Sequence, residues 1–266
     1  MFFVNSFKKN ERLHFKIMTK YNIQLFSVRK SFEKDIEGTL KALAEMGYDG
    51  VEFCDSVFEK IEAKELKRIL DFYGLSPVST HIGYEKLLDN IDFYIDYLKE
   101  IGCTAVFCPW ANIDDKQKAD KVAEDFEKFS EKLIMNGISF GYHNHREEFK
   151  HEIENQTAFD YLVDKSGMLL LTELDLGHIA AVGKDTEEYI RKYAGKVTYL
   201  HLKQYEKADD NFKPSLLNSG IVDIKKCVQV GLLMGCEHFI VEYDHPVNSE
   251  LEDAKENIEF LKGLKL

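Results

Sequence analysis

Short, nearly continuous apolar runs recur along the chain, separated by longer stretches in which apolar residues return with a helical period. Eight runs stand out: YNIQLFSV, YDGVEF, LSPVSTH, CTAVFCPW, ISFGYHNH, MLLLTELD, KVTYLHLK and CEHFIVEYD. Runs of this kind are typical of parallel strands that are buried on both faces. A glycine precedes each of the last seven at intervals of 27 to 40 residues, the length of a βα unit: Gly47, Gly74, Gly102, Gly137, Gly167, Gly195 and Gly235.

The intervening stretches predict helices that each bury one face. One apolar stripe, with steps of four, three and four residues, contains Val122, Phe126, Phe129 and Leu133. The last helix is expected to begin at a capping box formed by Ser249 and Glu252. Most of the helical patterns stop at one of the glycines, where a left-handed residue satisfies the last carbonyl groups.

Eight strands that alternate with about eight helices predict an α/β fold with a single (β/α)8 TIM barrel. No GxGxxG motif follows the first strand, which argues against an open nucleotide-binding sheet. We assign the barrel to residues 18–266. Residues 1–17 carry charges soon after a very short apolar start, and we interpret them as an N-terminal extension, disordered or artefactual, that lies outside the fold.

Polar residues concentrate at the carboxyl ends of the predicted strands, where the active sites of TIM-barrel enzymes lie. Five of the nine histidines stand there: His81, His143, His145, His178 and His201. They are accompanied by Glu52, Asp55, Trp110, Glu148, Glu173, Asp175, Lys203, Glu242 and Asp244. Taken singly, a histidine at a strand end is more often a hydrogen-bonded core residue than a ligand. Four consecutive strands that each end in a ligand-type residue are harder to explain as packing, since buried charges need partners.

Residues two apart on a strand share a face, so His143 and His145 point the same way, as do Glu173 and Asp175. Carboxylates and imidazoles that converge from the fifth to the eighth strand form a mixed oxygen and nitrogen set. Such a set suits Mn²⁺, Zn²⁺, Co²⁺ or Mg²⁺. Because no cysteine belongs to it, we expect an open catalytic ion rather than a structural zinc.

The amino-acid composition limits the kinds of ligand and cellular compartment that we expect for this protein. A formal charge of −12 and a pI near 5.3 disfavour nucleic acid as a ligand and favour a small molecule. The five cysteines are scattered without CxxC spacing, which fits a reducing cytoplasm. No stretch approaches the roughly 18 apolar residues of a membrane span. We therefore expect a cytoplasmic protein that is independent of membranes, and we leave its oligomeric state open.

The motifs YHNHREEF, ELDLGH, HLK and VEYD, in this order and spacing, resemble those of the xylose isomerase-like barrel family of sugar phosphate isomerases and epimerases. The resemblance runs from about Tyr21 to the C-terminus. It implies one divalent ion, with Mn²⁺ expected first, held at the ends of strands five to eight, typically by Glu, Asp, His and Glu. Asp175, His201 and Glu242 match the last three ligands. His143 stands where the first glutamate is usual, and Glu148 is its competitor.

The resemblance also implies roles for neighbouring side chains. His178 matches a position that usually contacts substrate, and we add His81, Trp110 and Lys203 as candidate substrate-binding residues. The chain departs from the family's HxKD and GxGxxD motifs, where it reads HLKQ and NSGIVD. These departures affect the expected substrate contacts rather than the expected metal ligands.

The implied activity is a metal-dependent isomerase or epimerase that acts on a sugar, keto-sugar or cyclitol through an enediolate. Glu242, with His145 or Glu148, is the candidate acid and base pair. Loss of a β-hydroxyl group would instead make the enzyme a dehydratase of a keto-sugar or inosose. Two further alternatives are an abasic-site DNA endonuclease of the same superfamily and a non-catalytic sugar-binding barrel.

Overall fold

A computed structural model describes residues 19–209 and 211–266. Within them the strands are β1 (Lys20–Gln24), β2 (Gly50–Cys54), β3 (Ser76–His81), β4 (Ala105–Cys108), β5 (Ser139–His143), β6 (Glu152–Ile153), β7 (Gln156–Thr157), β8 (Leu171–Asp175), β9 (Val197–Leu202), β10 (Tyr205–Ala208), β11 (Asn211–Pro214) and β12 (His238–Val241). Strands β1 to β5, β8, β9 and β12 are parallel and close into a barrel, in which β12 pairs with β1. These are the eight predicted strands, and the predicted (β/α)8 barrel is confirmed.

The helices connect the strands and surround the barrel. They are α1 (Arg29–Lys34), α2 (Ile36–Met46), α3 (Ala63–Tyr73), α4 (Tyr84–Ile101), α5 (Lys116–Ile134), α6 (Ala158–Lys165), α7 (Leu176–Ala181), α8 (Thr186–Lys192), α9 (Ile224–Met234) and α10 (Glu250–Lys262). The stripe predicted on α5 is buried along its whole length. Gly47, Gly74, Gly102 and Gly235 adopt left-handed backbone angles directly after α2, α3, α4 and α9, as the sequence predicts.

Two short hairpins were not expected from the sequence. β6 and β7 form one, and β10 and β11 form the other; both are antiparallel. They follow β5 and β9, so they stand on the carboxyl-end side of the barrel. Strands of two to four residues contain too few alternating positions to give a periodic signal.

The predicted extension at residues 1–17 lies outside the described residues. Among the described residues the core consists of a large apolar cluster, in which Phe53, Phe126, Phe140 and Phe239 are fully buried, and a small one. The small cluster contains Ala105, Phe107, Tyr199 and Ile240. All five cysteines are unpaired. Among the described residues, no helix combines the length and apolarity needed to cross a membrane.

Candidate functional site

The barrel register brings the polar ends of β5, β8, β9 and β12 to one level. His143 pairs with Glu173 across β5 and β8, and Asp175 pairs with His201 across β8 and β9. Four buried residues, which we call the mouth ring, each offer one ligand atom within 4.8 Å of the others: His143, Asp175, His201 and Glu242.

Asp175 is oriented by the start of α7. Its Oδ1 accepts a hydrogen bond of 2.9 Å from the backbone N–H of His178 and so caps the helix. The side chain of Asn144 continues the pairing of β5 with β8, because its Oδ1 accepts a hydrogen bond from the Asp175 N–H at 3.0 Å. These contacts leave Oδ2 of Asp175 facing the mouth ring. It is buried and accepts no hydrogen bond of good geometry.

His201 has a carboxylate at each ring nitrogen. Nδ1 lies 2.8 Å from Oε2 of Glu242, and Nε2 lies 2.7 Å from Oε1 of Glu52. Burial opposes a positive charge on His201, but Glu173 and Glu52 outweigh it and raise its pKa well above the ordinary histidine value. Burial also opposes ionisation of Glu242, yet Lys203 and His201 hold its pKa well below the usual range.

Each ring nitrogen of His143 faces a different carboxylate. Nδ1 lies 3.1 Å from Oε2 of Glu173, and Nε2 lies 4.0 Å from Oδ2 of Asp175. Burial, reinforced by His201 and His81, lowers the pKa of His143 well below the ordinary value, so the imidazole is neutral. A neutral imidazole whose other nitrogen is anchored by a carboxylate is the arrangement commonly found in metal-binding histidines.

Lys203 extends its ammonium group into the mouth ring. Nζ lies 3.0 Å from Asp175 Oδ2, 3.0 Å from Glu242 Oε2 and 3.2 Å from Asp244 Oδ1. Burial opposes this charge, but the three carboxylates raise the pKa of Lys203 well above the lysine value. Gly177 makes room for the lysine, because a Cβ at position 177 would lie 2.8 Å from Cγ of Lys203.

A second layer of polar groups lies behind the mouth ring. Glu52, His81 and Glu173 are buried there, and Oε2 of Glu173 lies 2.6 Å from Nε2 of His81. Gln24 and Ser79 donate hydrogen bonds of 2.8 and 2.6 Å to the two oxygens of Glu52. From sequence we noted Glu52 and Glu173 at strand ends but assigned neither to the site; for Glu173 the available signal was its position two residues before Asp175, on the same face of the strand.

A cleft of about 310 Å³, which we call the mouth cleft, opens above these layers. Its size falls within the usual range of small-molecule sites, about 300 to 1,000 Å³. It is lined by Gln24, Phe26, Cys54, Asp55, His81, Pro109, His145, Glu242 and Asp244. The candidate residues Glu242, His81 and His145 therefore all face the same space.

A model of the xylose isomerase-like TIM barrel family matches residues 40–264, most of the chain. The chain belongs to this family. The inosose dehydratase of Mesomycoplasma hyopneumoniae (strain J) is 24% identical over 195 residues, which cover 65% of this chain and 63% of that protein. This chain thus matches less than two thirds of the length of its curated relatives.

Solved structures of the same fold agree with the barrel. A sugar phosphate isomerase/epimerase from Parabacteroides distasonis superimposes with a TM-score of 0.78 at 20% identity, covering 93% of this chain and 96% of that one. The probable 3-DHS dehydratase involved in petrobactin synthesis from Bacillus anthracis superimposes with a TM-score of 0.74 at 14% identity, covering 92% and 100%. At these identities the similarity demonstrates the shared fold alone.

Two residues predicted for the site lie apart from the mouth ring of this family member. Glu148 accepts hydrogen bonds from the Tyr142 hydroxyl at 2.8 Å and from the His145 N–H at 3.1 Å, so both its oxygens are engaged elsewhere. Trp110 is 58% exposed. Both line a neighbouring depression of about 230 Å³, together with Ala111, Asn112, Ile113, Asp114, Glu147 and His151.

The other predicted residues lie at or next to the mouth ring. The His178 ring, whose pKa burial and Lys203 lower to about 2, has its Nε2 3.3 Å from Nζ of Lys203. The His145 ring is centred 5.0 Å from that of His143 and 5.0 Å from that of His178. The imidazole and carboxylate groups of this buried cluster are donors that could hold a metal ion.

Proposed function

We propose that this protein is a divalent-metal-dependent enzyme that moves a proton on the carbon next to the carbonyl group of a sugar, keto-sugar or cyclitol. Isomerisation or epimerisation through an enediolate is the favoured reaction. The observation that carries the proposal is the mouth ring, in which two imidazoles and two carboxylates from four neighbouring barrel strands converge beside a cleft of substrate size.

The ring residues His143, Asp175, His201 and Glu242 would hold the cation, with Mn²⁺ favoured and Zn²⁺, Co²⁺ or Mg²⁺ as alternatives. When bound, the cation supplies Lewis acidity to neighbouring substrate oxygens. Nδ1 of His143 and Nε2 of His201 face Glu173 and Glu52, which fix the two rings and raise the basicity of the opposite nitrogens.

Glu242 and His145 are the proposed proton carriers. Both line the mouth cleft, one from the end of β12 and the other from the end of β5. Burial, followed by Lys203, lowers the pKa of His145, so its imidazole is neutral and able to accept a proton. Its Nδ1 is buried without a hydrogen-bond partner. Glu242 is ionised and holds a proton only while the substrate is being transformed.

Lys203 and His178 are proposed to bind substrate oxygens. The Lys203 ammonium group lies 3.0 Å from both carboxylates of the ring, and an oxyanion that develops in the cleft would be stabilised by the same charge. His81 faces the cleft from the end of β3. In this proposal His145 is favoured over Glu148, because both oxygens of Glu148 are engaged by Tyr142 and the backbone.

Dehydration of a keto-sugar or inosose is the second candidate. Its support is the similarity to inosose dehydratases and to the fold of a probable 3-DHS dehydratase. The same proton abstraction would begin the reaction, and a second group, such as His145, would protonate the departing β-hydroxyl. An abasic-site endonuclease or a non-catalytic sugar-binding protein remains a weaker alternative, and the net charge of −12 opposes a DNA substrate.

A screen of keto-sugars and inososes with Mn²⁺ in D₂O, followed by proton NMR, tests the proposal. We expect exchange of the proton next to the carbonyl, with a rearranged sugar for an isomerase and an unsaturated product for a dehydratase. Glu242→Gln and Asp175→Asn should lower the rate about 10²- to 10⁴-fold, while the surface variant Asp120→Asn should not. Full activity and full metal content in both ring variants would refute the assignment.

A further inference from the structure

Behind the mouth ring lies a second group of possible ligands, which we call the inner cluster: His81, His143, Glu173 and His201. One ligand atom from each lies within 4.8 Å of the others. Oε2 of Glu173 is at their centre, 2.6 Å from His81 Nε2, 3.1 Å from His143 Nδ1 and 3.2 Å from His201 Nε2. Three imidazole nitrogens and one carboxylate oxygen thus meet in the interior of the barrel.

The inner cluster, together with Glu52, contains two buried carboxylates whose only charged partners among the described residues are histidines. Glu52 and Glu173 are both fully buried, and Oε1 of Glu173 has no hydrogen-bond partner. Within the described part of the chain, no lysine or arginine nitrogen lies within 4.0 Å of either carboxylate. Lys203 instead contacts Asp175, Glu242 and Asp244. Burial of a carboxylate is costly unless a positive charge accompanies it, and a cation bound at Oε2 would supply that charge to Glu173.

We propose that His81, His143, Glu173 and His201 form a second cation site, which takes a divalent ion that prefers imidazole ligands, such as Zn²⁺ or Co²⁺. Zinc lies about 2.0 to 2.2 Å from such donors, so the donor atoms of a tetrahedral site are about 3.3 to 3.6 Å apart. The contacts of Glu173 with the three histidines are slightly shorter than this. A small outward movement of the side chains completes the site.

The two sites share His143 and His201 but use opposite ring nitrogens. Nδ1 of His143 and Nε2 of His201 face the inner cluster, whereas Nε2 of His143 and Nδ1 of His201 face Asp175 and Glu242. If both sites were filled, both imidazoles would lose all their N–H protons. One ion therefore occupies one site at a time, and the Lys203 ammonium beside the mouth ring favours the inner position when no substrate is bound.

His81 gives the inner cluster a route to solvent. The side chain lines the mouth cleft, while its Nε2 contacts Glu173. An ion that enters the cleft would therefore meet His81 before the deeper ligands. The site goes beyond the proposed function, since it concerns residues behind the mouth ring and is expected to hold an ion in the absence of substrate.

Titration of the metal-free, full-length protein with Co²⁺ tests this proposal, because four-coordinate cobalt absorbs visible light far more strongly than six-coordinate cobalt. We expect the wild type to develop the intense bands with one equivalent of cobalt. His81→Asn and Glu173→Gln should weaken cobalt binding by about 100-fold or more, since even outer-shell partners contribute about 10- to 100-fold. The double variant Asp175→Asn/Glu242→Gln should keep the bands.

Asp160→Asn is the matched control, because Asp160 is a buried carboxylate outside both sites. Circular dichroism checks that each variant is folded. Loss of the bands in the Asp175→Asn/Glu242→Gln variant, with their retention in folded Glu173→Gln and His81→Asn, would overturn the inner site while leaving the mouth ring and the proposed function standing. A wild type that binds no cobalt, or binds it without intense bands, would also overturn it.

Discussion

The ammonium group of Lys203 lies 3.0 Å from the carboxylate of Asp175, in the interior of the barrel where neither residue reaches solvent. The same nitrogen contacts Glu242 and Asp244. Lysine thus supplies a permanent positive charge to the residues that were expected to surround a metal ion. Removal of one partner from a buried ion pair leaves an uncompensated charge and destabilises the fold by about 3 to 5 kcal/mol.

Lys203→Met is therefore expected to lower the melting temperature of the metal-free protein by roughly 6 to 20 °C. Added Mn²⁺ should raise the melting temperature more in this variant than in the wild type, because a divalent ion replaces the missing charge. Differential scanning calorimetry measures both effects. Lys116→Met removes an exposed lysine and serves as control. Equal metal responses in Lys203→Met and the wild type would contradict the electrostatic role given to Lys203.

We predict that any side chain at Gly141 on β5 destabilises the fold. A Cβ there would lie 2.4 Å from the Phe107 ring and 2.9 Å from the carbonyl oxygen of Leu171. Overpacking of this kind costs about 1 to 3 kcal/mol, so Gly141→Ala should lower the free energy of unfolding by that amount in urea denaturation. Gly83→Ala is the control, since its nearest neighbour would be 3.5 Å away. Equal stability of the two variants would show that the barrel interior can relax around an added methyl group.

Asp125 on α5 gives a pH-dependent prediction. Burial opposes its ionisation, but hydrogen bonds from Lys121 at 2.7 Å, Tyr84 at 2.6 Å and Lys128 at 3.2 Å outweigh it and lower its pKa below the ordinary value. A depressed carboxyl pKa stabilises the fold above the unfolded-state pKa, and this stability is lost as the pH falls through the folded-state value.

We expect Asp125→Asn to cost about 1 to 3 kcal/mol at pH 7. The difference from the wild type should shrink as the pH is lowered to about 3. This pH lies slightly below the ordinary aspartate pKa, so the wild-type carboxylate begins to be protonated there. Urea denaturation at both pH values measures it. Tyr84→Phe removes one donor and should give a smaller, parallel effect. A difference that does not change with pH would exclude the ionised carboxylate as its source.

Trp110 is the single tryptophan of the chain and is 58% exposed, so its fluorescence reports on the depression that it lines. If the substrate extends from the mouth cleft into this depression, binding should protect the indole from acrylamide quenching. Trp110→Ala should then raise KM by roughly 2- to 10-fold with kcat unchanged, whereas Trp110→Phe should keep most of the affinity. Unaltered quenching with saturating substrate would remove Trp110 from the binding site.

The strands and many helix ends could be predicted from the sequence because they depend on local periodicity and on glycine. The placement of Asp175, His201 and Glu242 at strand ends could be predicted for the same reason. The depth of Glu52 and Glu173 could not, because strand alternation determines the face of a residue, whereas depth depends on the stagger between strands in the closed barrel. Glu148 follows the strand, and its pairing with Tyr142 depends on a short 3-10 turn that leaves no periodic signal.

The bare backbone of Gly177 allows the stem of Lys203 to run alongside α7. Position 177 thus controls how far an amine can reach, although it carries no functional group of its own. Even a single methyl group there would displace the side chain of Lys203 and change the distances between its ammonium group and the carboxylates of the mouth ring. A residue without charge can in this way determine where a positive charge lies in the mouth ring.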